Sequence, residues 1–222
     1  MTSKLIIQAI TKYIAGVLAA GLLIFLPAGK FFFQGLLFMG LLFIPMFFAG
    51  IVLVIKNPEL LKKRLNTKEK LGEQEVVIKL SGCMFVAGFV VAGLGFRLQW
   101  FVLPTSFTIV AAVVFLIAYV LYAEVLRENT YLSRTIEVQE NQKVIDTGLY
   151  GIVRHPMYSV TLLLFLSMPL VLGSVYAFVI FCAYPFILAK RIKSEELFLE
   201  KELDGYIEYK KKVKYRLIPF VW

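Results

Sequence analysis

The sequence predicts an all-α, polytopic membrane protein: a bundle of about six transmembrane helices that includes a C-terminal helical hairpin and ends in a cytoplasmic helical tail. Two observations predict this fold class. Hydrophobic residues make up 59% of the 222 residues, and the mean hydropathy is +0.79, a balance typical of membrane proteins. The apolar residues also gather in long stretches without Asp, Glu, Lys or Arg, which is the pattern of membrane-spanning helices.

Five apolar stretches are candidates for these spans. They cover residues 13–29, 31–55, 80–96, 98–123 and 157–189. The last stretch would form a helix of about 50 Å, although about 20 residues are enough to cross the hydrocarbon core. We therefore expect it to fold back at Gly173 and Ser174 into two short antiparallel helices, 157–172 and 174–189. This gives six spans, and five spans is the alternative count.

Positive charge is concentrated on one side of the predicted membrane. In the six-span arrangement, 22 of the 24 Lys and Arg residues fall on that side, and only Lys30 and Arg97 fall on the other. Cytoplasmic loops retain Lys and Arg during insertion, so both termini are predicted to be cytoplasmic. Topology and anionic lipid headgroups account for the net charge of +9, and no nucleic-acid partner is needed to explain it.

The chain is predicted to form a single integral membrane domain, 1–222, with two functional parts. Residues 1–123 hold the first four spans and are expected to be scaffold, since they are rich in Phe, Leu, Val and small residues that let helices approach closely. Within this part, the charged segment 56–79 begins with an Asn-Pro pair and is expected to be an interfacial amphipathic loop. Residues 124–222 collect the polar residues and are expected to be the functional region.

The first cluster of candidate site residues precedes the predicted hairpin. The run is Gly148-Leu149-Tyr150-Gly151-Ile152-Val153-Arg154-His155-Pro156-Met157-Tyr158. Pro156 suits the first helical turn, where its missing N–H group would be unpaired anyway, so His155 is predicted to be the N-cap. The free N–H groups of that turn and Arg154 indicate an anion-binding corner at the membrane surface. A cluster that only anchors the helix explains these residues equally well.

The second cluster, Arg191, Glu195 and Glu196, follows the predicted hairpin. Arg191 and Glu195 are spaced i,i+4, so a surface ion pair is sufficient to explain them. Glu196 points about 100° away and needs another partner. Antiparallel packing of the two hairpin helices would bring both clusters together. Two carboxylates that face an anion-binding helix start suit a zwitterionic, nucleotide-like cofactor.

These motifs resemble the isoprenylcysteine carboxyl methyltransferase family and the related integral-membrane phospholipid methyltransferases. The resemblance covers residues 129–219 and is an ordered set of short motifs. They are Gly148-x-Tyr150, Arg154-His155-Pro156-x-Tyr158, Arg191-Ile192-x-x-Glu195-Glu196-x-x-Leu199, Tyr206-x-x-Tyr209 and Arg216-x-Ile218-Pro219. The ordered set is more specific than any one motif. The first four spans match nothing in the family, and Ser159 and Val160 stand where the family commonly has a glycine.

The resemblance implies that residues 124–222 bind S-adenosylmethionine and catalyse methyl transfer at the membrane–cytoplasm interface. The acceptor would be a lipophilic or small molecule with a carboxylate, amine or thiol group, entering sideways from the bilayer. Membrane lipids are the other expected partner, and neither a metal nor a nucleic acid is expected. The implied cofactor-binding residues are Gly148, Tyr150, His155, Pro156, Tyr158, Glu195 and Glu196. Arg154 and Glu196 are the predicted catalytic residues, with Arg154 nearest the acceptor or the cofactor carboxylate.

Two other functions compete with methyl transfer. A membrane sterol or enone reductase that uses NADPH resembles this chain in its Arg-His-Pro segment and its ending. The adjacent Glu195 and Glu196 disfavour this alternative, because two carboxylates would repel the 2′-phosphate of NADPH. A non-enzymatic ligand-binding or transport protein would carry charged or polar residues at mid-membrane, and the predicted spans contain almost none.

Overall fold

The computed structural model describes residues 2–66, 72–100, 102–133 and 135–222, and the regular elements within these ranges are helices. The helices are α1 (Thr2–Ala28), α2 (Phe33–Lys56), α3 (Pro58–Leu65), α4 (Gly72–Arg97), α5 (Thr105–Glu128), α6 (Pro156–Val171), α7 (Val175–Phe181), α8 (Tyr184–Glu202) and α9 (Tyr206–Lys212). A 3₁₀ turn forms at Gly148–Gly151. The predicted all-α class is confirmed.

Five helical segments among the described residues are long and apolar enough to cross a membrane. They are Ser3–Ala28, Phe33–Lys56, Glu75–Arg97, Thr105–Glu128 and Val175–Glu202. The apolar helix α6 is shorter, with 16 residues, or about 24 Å at 1.5 Å per residue. The polytopic membrane fold is confirmed, and the count is five or six according to whether α6 crosses the whole bilayer.

The predicted reversal at Gly173 is confirmed. Gly173 has a φ angle of +73°, a left-handed conformation that costs glycine little because it lacks a Cβ atom. Its carbonyl accepts a hydrogen bond of 2.9 Å from the N–H of Leu103. The hydroxyl of Ser174 caps α7 by accepting from the N–H of Ala177 at 3.2 Å. The chain therefore reverses between α6 and α7, and both α7 and α8 pack against α6.

Two predicted elements have different boundaries in the structure. The second half of the hairpin is not one helix over 174–189, because α7 ends at Phe181 and α8 starts at Tyr184 with Pro185 in its first turn. The charged segment 56–79 is not a single loop either. Its first part is α3, where Asn57 caps the helix by accepting from the N–H of Leu60 at 3.0 Å, residues 67–71 lie outside the described residues, and its last part belongs to α4.

Helix α4 has a central position in the bundle, where it packs against α1, α7 and α8. A Cβ atom at Gly93 would overlap the carbonyl of Ile24, so glycine is what lets α4 lie this close to α1. On another side of α4, the ring of Phe85 lies 4.7 Å from that of Phe165 in α6 and 5.3 Å from that of Phe181 in α7. These contacts hold α4 and α6 on two sides of the cavity described next.

Candidate functional site

A cavity of about 490 Å³ lies between α4, α6, α8, α9 and the segment that joins α5 to α6. Its volume is within the roughly 300–1,000 Å³ typical of small-molecule sites. One part is polar and is lined by Tyr150, Arg154, His155, Tyr158, Arg191 and Glu195. The other part is apolar and is lined by Ile78, Phe85, Met157, Phe165, Ile187 and Leu188. The two parts form one continuous space.

The apolar part of the cavity lies among helices of the membrane bundle. Phe85 of α4, Phe165 of α6 and Leu188 of α8 line it from three sides. Gly82 also lines it, and a Cβ atom at Gly82 would meet no atom within 4 Å. An apolar chain therefore has room beside α4.

The structure brings most of the sequence-predicted site residues to the polar part of the cavity. Five of them line it: Tyr150, Arg154, His155, Tyr158 and Glu195. The other three, Gly148, Pro156 and Glu196, are not among the described residues that line the cavity. His155 is the N-cap of α6 with Pro156 next to it, as the sequence predicts.

Glu196 is held by three basic side chains behind the cavity wall. Its residue is only 2% exposed. Arg154 donates from Nε to Oε1 at 2.7 Å, and Arg216 donates from Nε to Oε2 at 2.8 Å. The ring nitrogen Nε2 of His155 lies 3.2 Å from Oε1. We call Arg154, His155, Glu196 and Arg216 the Glu196 cluster; in it, both carboxylate oxygens already accept hydrogen bonds.

Arg154 also joins this cluster to the tail of the chain. Its Nη1 atom donates to the carbonyls of Val213 and Lys214, both at 2.8 Å. The backbone N–H of Arg154 donates to the carbonyl of Tyr215 at 2.9 Å, and that of His155 to the carbonyl of Arg216 at 2.9 Å. The tail thus binds the N–H groups of Arg154 and His155 at the predicted anion-binding corner. The predicted contact of Arg154 with acceptor or cofactor stays a prediction, although Arg154 does line the cavity.

A second group of polar side chains faces the cavity itself. Arg191 donates from Nε to the hydroxyl of Tyr158 at 2.7 Å, and this hydroxyl donates to Oε2 of Glu195 in a short hydrogen bond. The Tyr158 ring also stacks on that of His155, with ring centroids 5.7 Å apart. We call Arg191, Tyr158 and Glu195 the Tyr158 chain. Unlike Glu196, Glu195 is only partly buried and lines the cavity.

Two tyrosines of α9, Tyr206 and Tyr209, also line the polar part of the cavity, and the sequence-predicted site does not include them. Their i,i+3 spacing, which places both on one face of the helix, is the signal that points to them. The hydroxyl of Tyr209 donates to the carbonyl of Tyr150 at 2.7 Å. The hydroxyl of Tyr206 is buried and has no hydrogen-bond partner among the described residues. Burial, then the nearby Glu196 and Glu195, raise the pKa of the Tyr206 phenol well above its usual value, so it stays a donor.

Gly148 contributes to the site by allowing a backbone conformation that other residues rarely adopt. It has a φ angle of +49°, and a Cβ atom there would overlap the carboxylate of Glu128. That carboxylate accepts from the N–H of Leu149 at 3.0 Å and so holds the 3₁₀ turn that carries Tyr150. The Gly-x-Tyr motif therefore places Tyr150 in the cavity wall.

The region that contains most of the site matches a known protein family. Residues 106–204 match the family model described as phospholipid methyltransferase, which confirms the predicted resemblance to integral-membrane methyltransferases. Because the match begins at residue 106, the prediction that the first four spans match nothing in the family is wrong for the fourth span. The matched region runs from the start of α5 to just past α8 and holds the Tyr158 chain, whereas Tyr206, Tyr209 and Arg216 lie beyond it. No curated protein matches the chain significantly. Among the described residues, no group of His, Cys, Asp and Glu side chains is arranged to hold a metal ion.

Proposed function

We propose that this protein, which carries a phospholipid methyltransferase domain at residues 106–204, transfers a methyl group from S-adenosylmethionine to a lipophilic acceptor. The continuous cavity is the observation that supports this proposal most directly. A charged, water-soluble donor requires a polar pocket, and a membrane-borne acceptor requires an apolar one. In this cavity the two adjoin, so donor and acceptor can meet without either leaving its preferred surroundings.

The residues of the polar part fit S-adenosylmethionine chemically. Glu195 presents carboxylate oxygens that suit an ammonium group or ribose hydroxyls. The rings of Tyr158, Tyr206 and Tyr209 line the same space, and aromatic faces attract a cation such as a sulfonium. The buried hydroxyl of Tyr206 supplies a donor that the described protein groups leave unused. When bound, the cofactor supplies an electrophilic methyl group.

The work left to the protein is mainly positioning. Methyl transfer requires donor and acceptor atoms in line at about 3–3.5 Å, and holding this geometry accounts for much of the rate. No proton has to be removed when the acceptor is a carboxylate or a thiolate. An amine acceptor must lose a proton, and His155 and Glu195 are two of the side chains in the cavity wall that can accept one.

For the two predicted catalytic residues, the contacts favour a role in positioning. Both oxygens of Glu196 accept hydrogen bonds from the basic side chains around it. Arg154 directs two of its nitrogens at Glu196 and at the tail. We propose that this cluster holds His155, and through it the stacked Tyr158 ring, at the angle that the cofactor needs.

Calorimetric titration of the purified protein tests the proposed cofactor. S-adenosylhomocysteine is the stable product of methyl transfer, and we expect it to bind with a measurable heat that saturates at one ligand per chain. NADPH in a parallel titration is expected to give no saturable heat. Binding of NADPH without binding of S-adenosylhomocysteine would instead support the reductase.

We also propose that the polar part of the cavity faces the cytoplasm, because the residues around it belong to the side that carries 22 of the 24 Lys and Arg residues. Two exposed positions test this orientation, Lys30 between α1 and α2 and Glu202 at the end of α8. Each is replaced by cysteine in a Cys83→Ser, Cys182→Ser background and labelled with an impermeant maleimide in intact cells. We expect labelling at position 30 and none at 202 until the cells are lysed; the opposite pattern would reverse the orientation.

A further inference from the structure

After α9 the chain forms a loop, residues 216–222, that carries exposed apolar side chains; we call it the tail loop. Ile218, Phe220 and Val221 are 43%, 86% and 75% exposed. Phe220 has a φ angle of +64°, which a bulky residue adopts only under constraint. Large side chains exposed together in this way mark a surface that binds something apolar.

The tail loop is held in shape by its own contacts. The N–H groups of Arg216 and Ile218 both donate to the carbonyl of Trp222, at 3.0 and 3.1 Å. The Arg216 guanidinium lies 5.3 Å from the centre of the Trp222 ring while its Nε atom binds Glu196. The exposed side chains are therefore presented by a folded loop that is tied to the Glu196 cluster.

The position of the tail loop is set by α6. The hydroxyl of Ser159 donates to the carbonyl of Leu217 at 2.5 Å, and Ser159 lies in the first turn of α6. At about 24 Å, the apolar helix α6 is shorter than the roughly 30 Å hydrocarbon core, so if α6 is the sixth span its first turn lies at the membrane interface. A spanning α6 would therefore place the tail loop level with the membrane interface.

The charges next to the tail loop complement an anionic surface. Five basic residues fall within seven positions: Lys210, Lys211, Lys212, Lys214 and Arg216. Lys210, Lys212 and Arg216 pair with carboxylates of the protein, so the exposed Lys211 and Lys214 are the ones placed to meet anionic headgroups. Glu208 is the one acidic residue in the sequence from 206 to 222. Basic residues beside exposed apolar ones are typical of segments that lie in the interface of an anionic leaflet.

We propose that the tail loop inserts Ile218, Phe220 and Val221 into the lipid leaflet at the polar end of the bundle, with anionic headgroups beside the preceding lysines. This is a lipid-binding surface that lies beyond the matched region 106–204. It does not depend on the reaction that the cavity performs. Insertion would also hold Arg216 in place beside Glu196, and so keep the tail closed over the cavity wall.

Tryptophan fluorescence in bilayers tests this insertion. In a Trp100→Phe, Trp222→Phe background, Phe220→Trp places a single tryptophan at the tip of the loop. The full-length variant is reconstituted in vesicles of phosphatidylcholine and phosphatidylglycerol, with or without bromine atoms on the acyl chains. We expect the brominated lipids to remove most of its emission. Glu208→Trp, on an exposed position of α9, is the matched control and should keep most of its emission.

A second tryptophan position and a change of lipid ensure that the conclusion does not depend on Phe220→Trp alone. Val221→Trp is expected to be quenched like Phe220→Trp, and vesicles with phosphatidylglycerol are expected to quench at least as strongly as vesicles without it. If both loop reporters are quenched no more than Glu208→Trp, the loop stands in water or against protein and the proposal is wrong. Weaker quenching when anionic lipid is added would overturn the part assigned to the lysines.

Discussion

Glu195 and Glu196 are neighbours on α8, yet they lie in opposite surroundings. Glu196 is buried behind the cavity wall, where three basic side chains bind its two oxygens. Glu195 lines the cavity and accepts a hydrogen bond from Tyr158. Successive residues of a helix point about 100° apart, so one turn of α8 serves two separate purposes.

The two glutamates are expected to have different roles, one structural and one in ligand binding. A carboxylate as buried as Glu196 is tolerated only when it is paired and hydrogen-bonded, so its contacts stabilise the closed arrangement of α6, α8 and the tail. A partly exposed carboxylate such as Glu195 keeps the capacity to bind a ligand. We therefore expect changes to the Glu196 cluster to affect stability first, and changes to the Tyr158 chain to affect ligand affinity first.

The largest effect is expected for Glu196→Gln. The substitution leaves the buried Arg154 and the partly exposed Arg216 without their counter-charge, and breaking a buried ion pair costs about 3–5 kcal/mol. Thermal unfolding of the purified variant in detergent measures the loss. Arg216→Gln removes only one partner of Glu196, and this partner is more exposed. It should therefore lower the stability less than Glu196→Gln does. Normal stability with lost affinity for S-adenosylhomocysteine would place Glu196 among the ligand-binding residues and contradict its proposed structural role.

Glu195→Gln is expected to act on affinity. The loss of a charge-assisted hydrogen bond should weaken binding of S-adenosylhomocysteine by about 1.5–3 kcal/mol, with little change in unfolding temperature. Calorimetry and thermal unfolding of the same sample separate these two quantities. Glu202→Gln, an exposed position at the end of the same helix, is the matched control. Equal affinities of the two variants would remove Glu195 from the proposed site.

Gly82→Leu extends the test to the apolar part of the cavity. The new side chain would occupy the space beside α4, so turnover of a long-chain acceptor should fall about tenfold through misplacement of the reacting atoms, while binding of S-adenosylhomocysteine stays unchanged. Gly50→Leu is the control, because a Cβ atom there also meets nothing within 4 Å but Gly50 is not among the described residues that line the cavity. A similar loss in both variants would mean that the effect is general.

The smallest effect is expected for Tyr206→Phe. If its hydroxyl binds the ligand, affinity for S-adenosylhomocysteine should fall by about 0.5–1.5 kcal/mol, the contribution of a neutral hydrogen bond. Stability should not fall, because no described protein group pairs with this hydroxyl. Tyr209→Phe gives the contrast, since its hydroxyl binds the carbonyl of Tyr150 and its loss should lower the unfolding temperature. Unchanged affinity in Tyr206→Phe would show that the hydroxyl faces empty space.

The local features of this protein could be predicted from its sequence. Apolar stretches indicate the membrane helices, Gly173 indicates the reversal, and Pro156 indicates that His155 is an N-cap, because each depends on residues within one or two turns. The break between α7 and α8 has a local signal as well, because Pro185 lies in the first turn of α8, where proline suits the start of a helix. Motif order also pointed to the family found at residues 106–204.

Which of the clustered residues face the cavity depends on the packing of the helices. The sequence places Glu195 and Glu196 side by side, but the rotation of α8 about its own axis depends on packing against α4 and α6. Arg216 is 20 residues away from Glu196 in the sequence, and nothing in either segment predicts that they pair. Such contacts depend on how the tail folds back onto the start of α6. That path is set by the hydrogen bonds of Arg154 and Ser159 to distant carbonyls, and no local pattern encodes it.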